Sequence, residues 1–177
     1  MLSIRKAIIA VMALAILSFS TVSWAQKPAA GPADFSLRGI DGQTVTAQSL
    51  RGKVAVLAFG ASWLPLSRTQ LQSLKKVAER YGDRGVVVYW VSTESENTKA
   101  KNFATDEQLR AFGQKYGGDI KVLRDPEMSA ARRLGAVELP SIVILDKQGN
   151  PSGEAIKGLD ADGNQMAQLT SQLDKIL

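Results

Sequence analysis

The chain has 177 residues, 45% of them hydrophobic and 22% charged, a formal net charge of +5, and neither cysteine nor histidine. Without cysteine there is no disulfide, thiolate nucleophile or thiolate metal site; without histidine there is no Ser-His-Asp triad and no imidazole zinc site. The charge does not suit nucleic acid, because no Lys/Arg run exceeds two residues, as at Lys75-Lys76 and Arg132-Arg133, and both pairs read as solvated helix faces.

Residues 1–25 have the pattern of a secretory signal peptide. Arg5 and Lys6 precede the uninterrupted apolar run Ala7–Leu17, and Ser23-Trp24-Ala25 offers small residues for cleavage between Ala25 and Gln26. If uncleaved, this segment would be the only contact with a membrane, and eleven apolar residues fall short of the ~20 that span a bilayer. The expected location is therefore the periplasm or the exterior, an oxidising setting in which the absence of cysteine is informative. Residues 26–33, with Pro28, Gly31 and Pro32, read as a flexible leader, and residues 34–177 as one domain.

Phe35–Thr46 reads as a hairpin turning at Asp41-Gly42. Val54–Phe59 is an apolar run expected to form a strand buried on both faces. Pro65 suits the first position of a helix carrying Leu71, Leu74, Ala78 and Tyr81 inward and stopped by Gly82. Val86–Val91 is a second strand, and Thr105-Asp106-Glu107-Gln108 opens a helix with a capping box. A strand at Ile120–Leu123, a short helix at Met128–Leu134, a strand at Ser141–Leu145 and a hairpin partner at Glu154–Gly158 follow. The closing helix carries Met166, Leu169, Leu173 and Ile176 inward. This order describes an α/β layer fold around a central sheet.

Ser49-Leu50-Arg51-Gly52-Lys53, the strand after it, and Phe59-Gly60-Ala61-Ser62-Trp63 resemble the TlpA/ResA-type thioredoxin-like (redoxin) proteins of the bacterial periplasm. Val137-Glu138-Leu139-Pro140-Ser141 is similar to the loop bearing that family's cis-proline, and Lys147-Gln148-Gly149 matches the turn that follows. The resemblance runs from about Ala33 to Leu177. It implies a thioredoxin-like fold: a central mixed β-sheet flanked by helices, with an N-terminal β-hairpin and a cis Leu139–Pro140 bond.

The working residues of the family do not carry over. Its two cysteines fall at Leu64 and Ser67, in Leu64-Pro65-Leu66-Ser67, and its common glutamate falls at Gln70. A serine hydroxyl cannot form the mixed disulfide on which exchange depends, and leucine has nothing to ionise. No catalytic residue, cofactor or metal site is therefore assigned. The expected role is a redox-inactive module that binds a protein or an extended peptide through Trp63, Leu64, Pro65, Leu66 and Ser67, with Val137, Glu138, Leu139 and Pro140 from the facing loop. The alternatives are a thiol-disulfide role exercised through a partner or glutathione, with Ser67 or Ser62 donating to a bound thiolate, and a structural subunit of an exported assembly. Ser67 otherwise reads as a helix-capping serine. Glu94 and Glu96, in a polar connector, and Asp160 and Asp162, near a helix start, read as solvated or capping acids.

Overall fold

The computed structural model describes residues 34–158 and 163–177. The signal-peptide and leader readings, and the acids Asp160 and Asp162, lie outside the described residues. Ser36–Gly39 (β1) and Thr44–Thr46 (β2) pair antiparallel. Gly42 turns the chain between them with φ of 84°, a conformation glycine adopts without steric cost, and the Asp41 carboxylate accepts the Gln43 N–H.

Val54–Gly60 (β3) is buried along its whole length. Its pleat sends Val54, Val56 and Ala58 into one apolar cluster and Ala55, Leu57 and Phe59 into another. This two-sided burial explains why the run shows no polar alternation. Pro65–Tyr81 (α1) returns across the first face with Leu71, Leu74, Val77 and Tyr81 inward. The helix ends at Gly82 as expected, but without a left-handed cap. Gly82 stays right-handed and continues into a tight turn through Arg84, and the left-handed residue that redirects the chain is Gly85, at φ 84°.

Val86–Ser92 (β4) runs parallel to β3. Asp106–Gly117 (α2) opens with the capping box: the Thr105 hydroxyl accepts the Gln108 N–H, and the Gln108 side chain accepts the Thr105 N–H. Lys121–Arg124 (β5) lies one residue later than the apolar pattern suggests, because Arg124 still pairs with Arg38 on one side and Ser92 on the other. Ser129–Arg133 (α3), Ser141–Leu145 (β6), the two-residue Ile156–Lys157 (β7) and Asn164–Ile176 (α4) complete the fold.

One mixed sheet results, in the order β2-β1-β5-β4-β3-β6-β7. The helices α1, α2 and α4 cover one face, where Leu71, Leu109 and Leu169 share a core cluster. On the other face, Ala131 of α3 shares a second cluster with Leu37 and Val45 of the hairpin strands. Because β3, β4 and β5 are parallel, their carboxyl ends lie together. Strand β6 runs against β3 with Ser141 opposite Phe59, so it begins at that same end. The segments after β3, β4 and β5 and the loop before β6 therefore converge, as they do around ligand sites in open α/β sheets.

Candidate functional site

At this end of the sheet the chain turns from β3 into α1 through Ala61, Ser62, Trp63 and Leu64, and the polar groups of Ala61 and Ser62 are largely bonded within the protein. Gly60 O accepts the Thr93 N–H at 2.9 Å, and the Leu64 N–H donates to Ala61 O at 3.0 Å. The Ala61 N–H donates to Ser67 Oγ at 3.2 Å. Ser62 donates its N–H to Glu94 Oε2 at 3.0 Å and its hydroxyl to Glu94 Oε1 at 2.6 Å.

The apolar side chains point the other way. Trp63, Leu66 and Val137 are 62%, 55% and 65% exposed, and they are the large hydrophobic side chains left exposed among the described residues. All three belong to the two segments that meet at this corner.

The positions that would carry cysteines have become structural. Leu64 is half-buried at the α1 N-cap, where it supplies no side-chain cap, and Pro65 follows at the first helical position, exposed. Ser67 is fully buried, so it does not line a surface groove. Its hydroxyl takes the Ala61 N–H rather than capping the helix. Gln70 is equally buried, and its Nε2 donates to Ser141 O at 3.2 Å, joining α1 to the residue after Pro140. A Cβ placed on Gly60 would stand 2.7 Å from Ser67 Oγ, 3.1 Å from Trp90 Nε1 and 3.2 Å from Gln70 Oε1. The strand must end in glycine there for these polar groups to pack beneath the turn.

The facing loop carries the cis Leu139–Pro140 bond that the resemblance implied. Pro140 is buried and its carbonyl accepts the Gly158 N–H at 2.7 Å; Leu139 is half-buried. Glu138 is exposed and pairs with Lys157 at 2.7 Å, a solvated contact worth little by itself. Val137 and Glu138 border an open cleft of about 280 Å³ whose far side is formed by Ala155 and Lys157. Of the expected binding residues, Trp63, Pro65, Leu66, Val137 and Glu138 are thus on the surface, Leu64 and Leu139 are partly covered, and Ser67 and Pro140 are beneath it.

The acids behave differently from their sequence reading. Glu96 is half-exposed, but Glu94 is only 2% exposed and lies directly under the turn. The buried Arg124 is the second surprise. Its guanidinium donates to Ala104 O, Glu94 O and Ser95 O and to the Asp106 carboxylate, fastening the whole 94–106 segment to the end of β5. No apolar periodicity marks either residue. The one available signal was position, since each stands at the carboxyl end of a buried parallel strand.

Asp106 is also gripped by Arg38 from β1. Hydrogen bonds from Arg38 and then Arg124 hold its carboxyl below the ordinary carboxylate range. A depressed folded value stabilises the fold above the unfolded value of ~3.9, and that contribution is lost as pH falls through the folded value. In urea titrations, Asp106→Asn is expected to lower the midpoint at pH 7 and to flatten its decline below about pH 4. Parallel acid slopes for the two proteins would show that this carboxylate does not set the decline.

Residues 29–150 match the AhpC/TSA family. The chain is 28% identical over 116 residues to thioredoxin-like protein YneN of Bacillus subtilis (strain 168), covering 66% of this chain and 64% of that one. It is 30% identical over 116 residues to the thiol:disulfide interchange protein DsbE of Pseudomonas fluorescens biotype C, covering 65% and 58%. It thus spans roughly three fifths of the length of these curated relatives. The crystal structure of the pneumococcal exposed lipoprotein thioredoxin Etrx1 from Streptococcus pneumoniae strain TIGR4 superposes with a TM-score of 0.62 at 27% identity, over 80% of this chain and 99% of that one. With a thioredoxin-like sheet, a cis-proline loop beside β3, and similarity to thiol-disulfide oxidoreductases such as ResA, the chain belongs to the AhpC/TSA redoxin family, and it carries no cysteine.

Proposed function

We propose that this protein is an exported, redox-inactive thioredoxin-like module that binds an extended peptide or a protein partner at the corner formed by Trp63–Leu66 and Val137–Pro140. The observation that carries this reading is the grouping of the exposed Trp63, Leu66 and Val137 at the one end of the sheet where a redoxin's cysteines would stand. A guest strand would lie across the loop before β6, taking backbone bonds there and placing apolar side chains against the indole. The signal-like pattern of residues 1–25 supports export, as does similarity to a relative described as an exposed lipoprotein.

The test is capture from living cells with a photoreactive residue at position 64, followed by identification of the crosslinked protein. Trp63→Ala and Leu66→Asp are each expected to cut capture at least about tenfold, the loss of roughly 1.4 kcal/mol expected when a central apolar contact is removed. Their melting temperatures should stay within a few degrees of the parent, since neither side chain belongs to the buried core. Undiminished capture by both variants would move the interface elsewhere on the molecule. The alternative of a permanently covered assembly subunit predicts elution as a stable oligomer in size-exclusion chromatography.

A further inference from the structure

Glu94 receives three hydrogen bonds while almost wholly removed from water. Ser62 supplies two, through its N–H and its hydroxyl, and Ser92 Oγ supplies the third at 3.0 Å. The guanidinium of Arg124 does not use this carboxylate; it takes the carbonyl oxygens of residues 94 and 95 and so fixes the backbone that carries it. The carboxylate is left to serve the turn. A buried carboxylate with neutral donors is held in place by those donors, and two of the three come from the residue immediately before the exposed tryptophan.

That adjacency has a physical consequence. An indole in water gains by folding back over neighbouring apolar surface, and Trp63 has Leu66 three residues away, at the start of α1. A turn free to pivot at Ser62 would let the indole do so. A serine held by both backbone and side chain resists that pivot. We infer that Glu94 is a positioning residue that clasps Ser62 and thereby presents Trp63 as an ordered contact before any partner arrives. Ordering in advance removes part of the entropy lost on binding. The inference rests on reading Trp63 as part of the docking surface, and it names the residue that sets the readiness of that surface.

The experiment uses Glu94→Gln in the protein purified from cells. The amide matches the carboxylate in shape but is neutral, so every bond to it loses its charge assistance, and Ser62 Oγ must turn from donor to acceptor to keep a partner. The nitrogen-15 order parameter of the Trp63 indole N–H, assigned by its disappearance in Trp63→Phe, should fall from a rigid value toward the ~0.6 of flexible groups. Exchange of the Ser62 amide should accelerate about tenfold or more, as expected when a local opening becomes easier. Ser92→Ala separates positioning from general support: it removes the third donor and is expected to lower the melting temperature while leaving the Trp63 signal unchanged. Ser62→Thr keeps both donors and should behave as the parent. Ser62→Ala, which deletes only the 2.6 Å bond, predicts the same loosening should Glu94→Gln not fold. An indole as ordered in Glu94→Gln and Ser62→Ala as in the parent would overturn the inference. An indole that loosens, together with capture at position 64 that is insensitive to Trp63→Ala, would support the clasp and overturn the docking reading instead.

Discussion

Placing cysteines at positions 64 and 67 together is expected to convert an inert protein into one that reduces insulin with dithiothreitol. The parent should not exceed the blank, since none of its 177 residues can form a mixed disulfide. The scaffold otherwise retains what the reaction needs. Position 64 is the N-cap of a 17-residue helix with no acid in its first turn, where the helix dipole favours a thiolate. Position 67 lies three residues on, beneath it, and first-turn residues at that spacing have Cα atoms within the ~4.4–6.8 Å that a disulfide bridges. Leu64→Cys alone should give no turnover, having no second thiol to release the substrate. Adding Gln70→Glu to the pair should raise the rate by restoring an acid beneath the thiols. A double variant that oxidises to an intramolecular disulfide yet stays at the blank would mean that the surrounding surface no longer admits a disulfide substrate.

The largest loss of stability is expected from Arg124→Met. The side chain is nearly as long and apolar, but it abandons three carbonyl acceptors and the Asp106 carboxylate in a site where Arg124 is 3% exposed. Unpaired buried acceptors cost about 1–3 kcal/mol each where water cannot reach them. Partial hydration of the segment reduces the sum, and a net loss of about 3–4 kcal/mol is expected. This corresponds to a fall of about 10 °C in melting temperature for a domain of this size. Arg124→Lys should recover only part of it, because a single ammonium cannot reach acceptors spread along residues 94–106. A loss below about 1 kcal/mol in urea unfolding would contradict this account, since it would lie in the range of ordinary surface substitutions.

The sequence was most informative where one local rule decides the outcome. The apolar run at Val54–Phe59, the Thr105–Gln108 capping box, Pro65 at a helix start and the Asp41-Gly42 turn each depend on neighbours in the chain, and each stands where its pattern placed it. Residues whose roles depend on distant partners read wrongly or not at all. Glu94 looked like a connector acid because its donors, Ser62 and Ser92, come from two different strand ends. Arg124 looked like the residue beyond a strand because the segment that covers it lies about 20 to 30 positions away. Asp125 stands in no recognisable motif, yet its buried carboxylate accepts the N–H groups of Ser129, Ala130 and Ala131 and so begins α3. Ser67 and Gln70 break the apolar face of α1 in sequence but not in space, because the turn after β3 and the start of β6 supply polar partners for them.

The outer strands of the sheet limit where another chain could attach. β2 has three residues and β7 has two, so neither flank offers a long row of unused backbone donors and acceptors. Accretion of strands from a neighbouring molecule, the usual route from an open sheet to fibrils, finds little template on either side. A guest of the kind proposed above would find few main-chain partners on the flanks. Among the described residues, the exposed tryptophan is thus not accompanied by a long strand at either edge of the sheet.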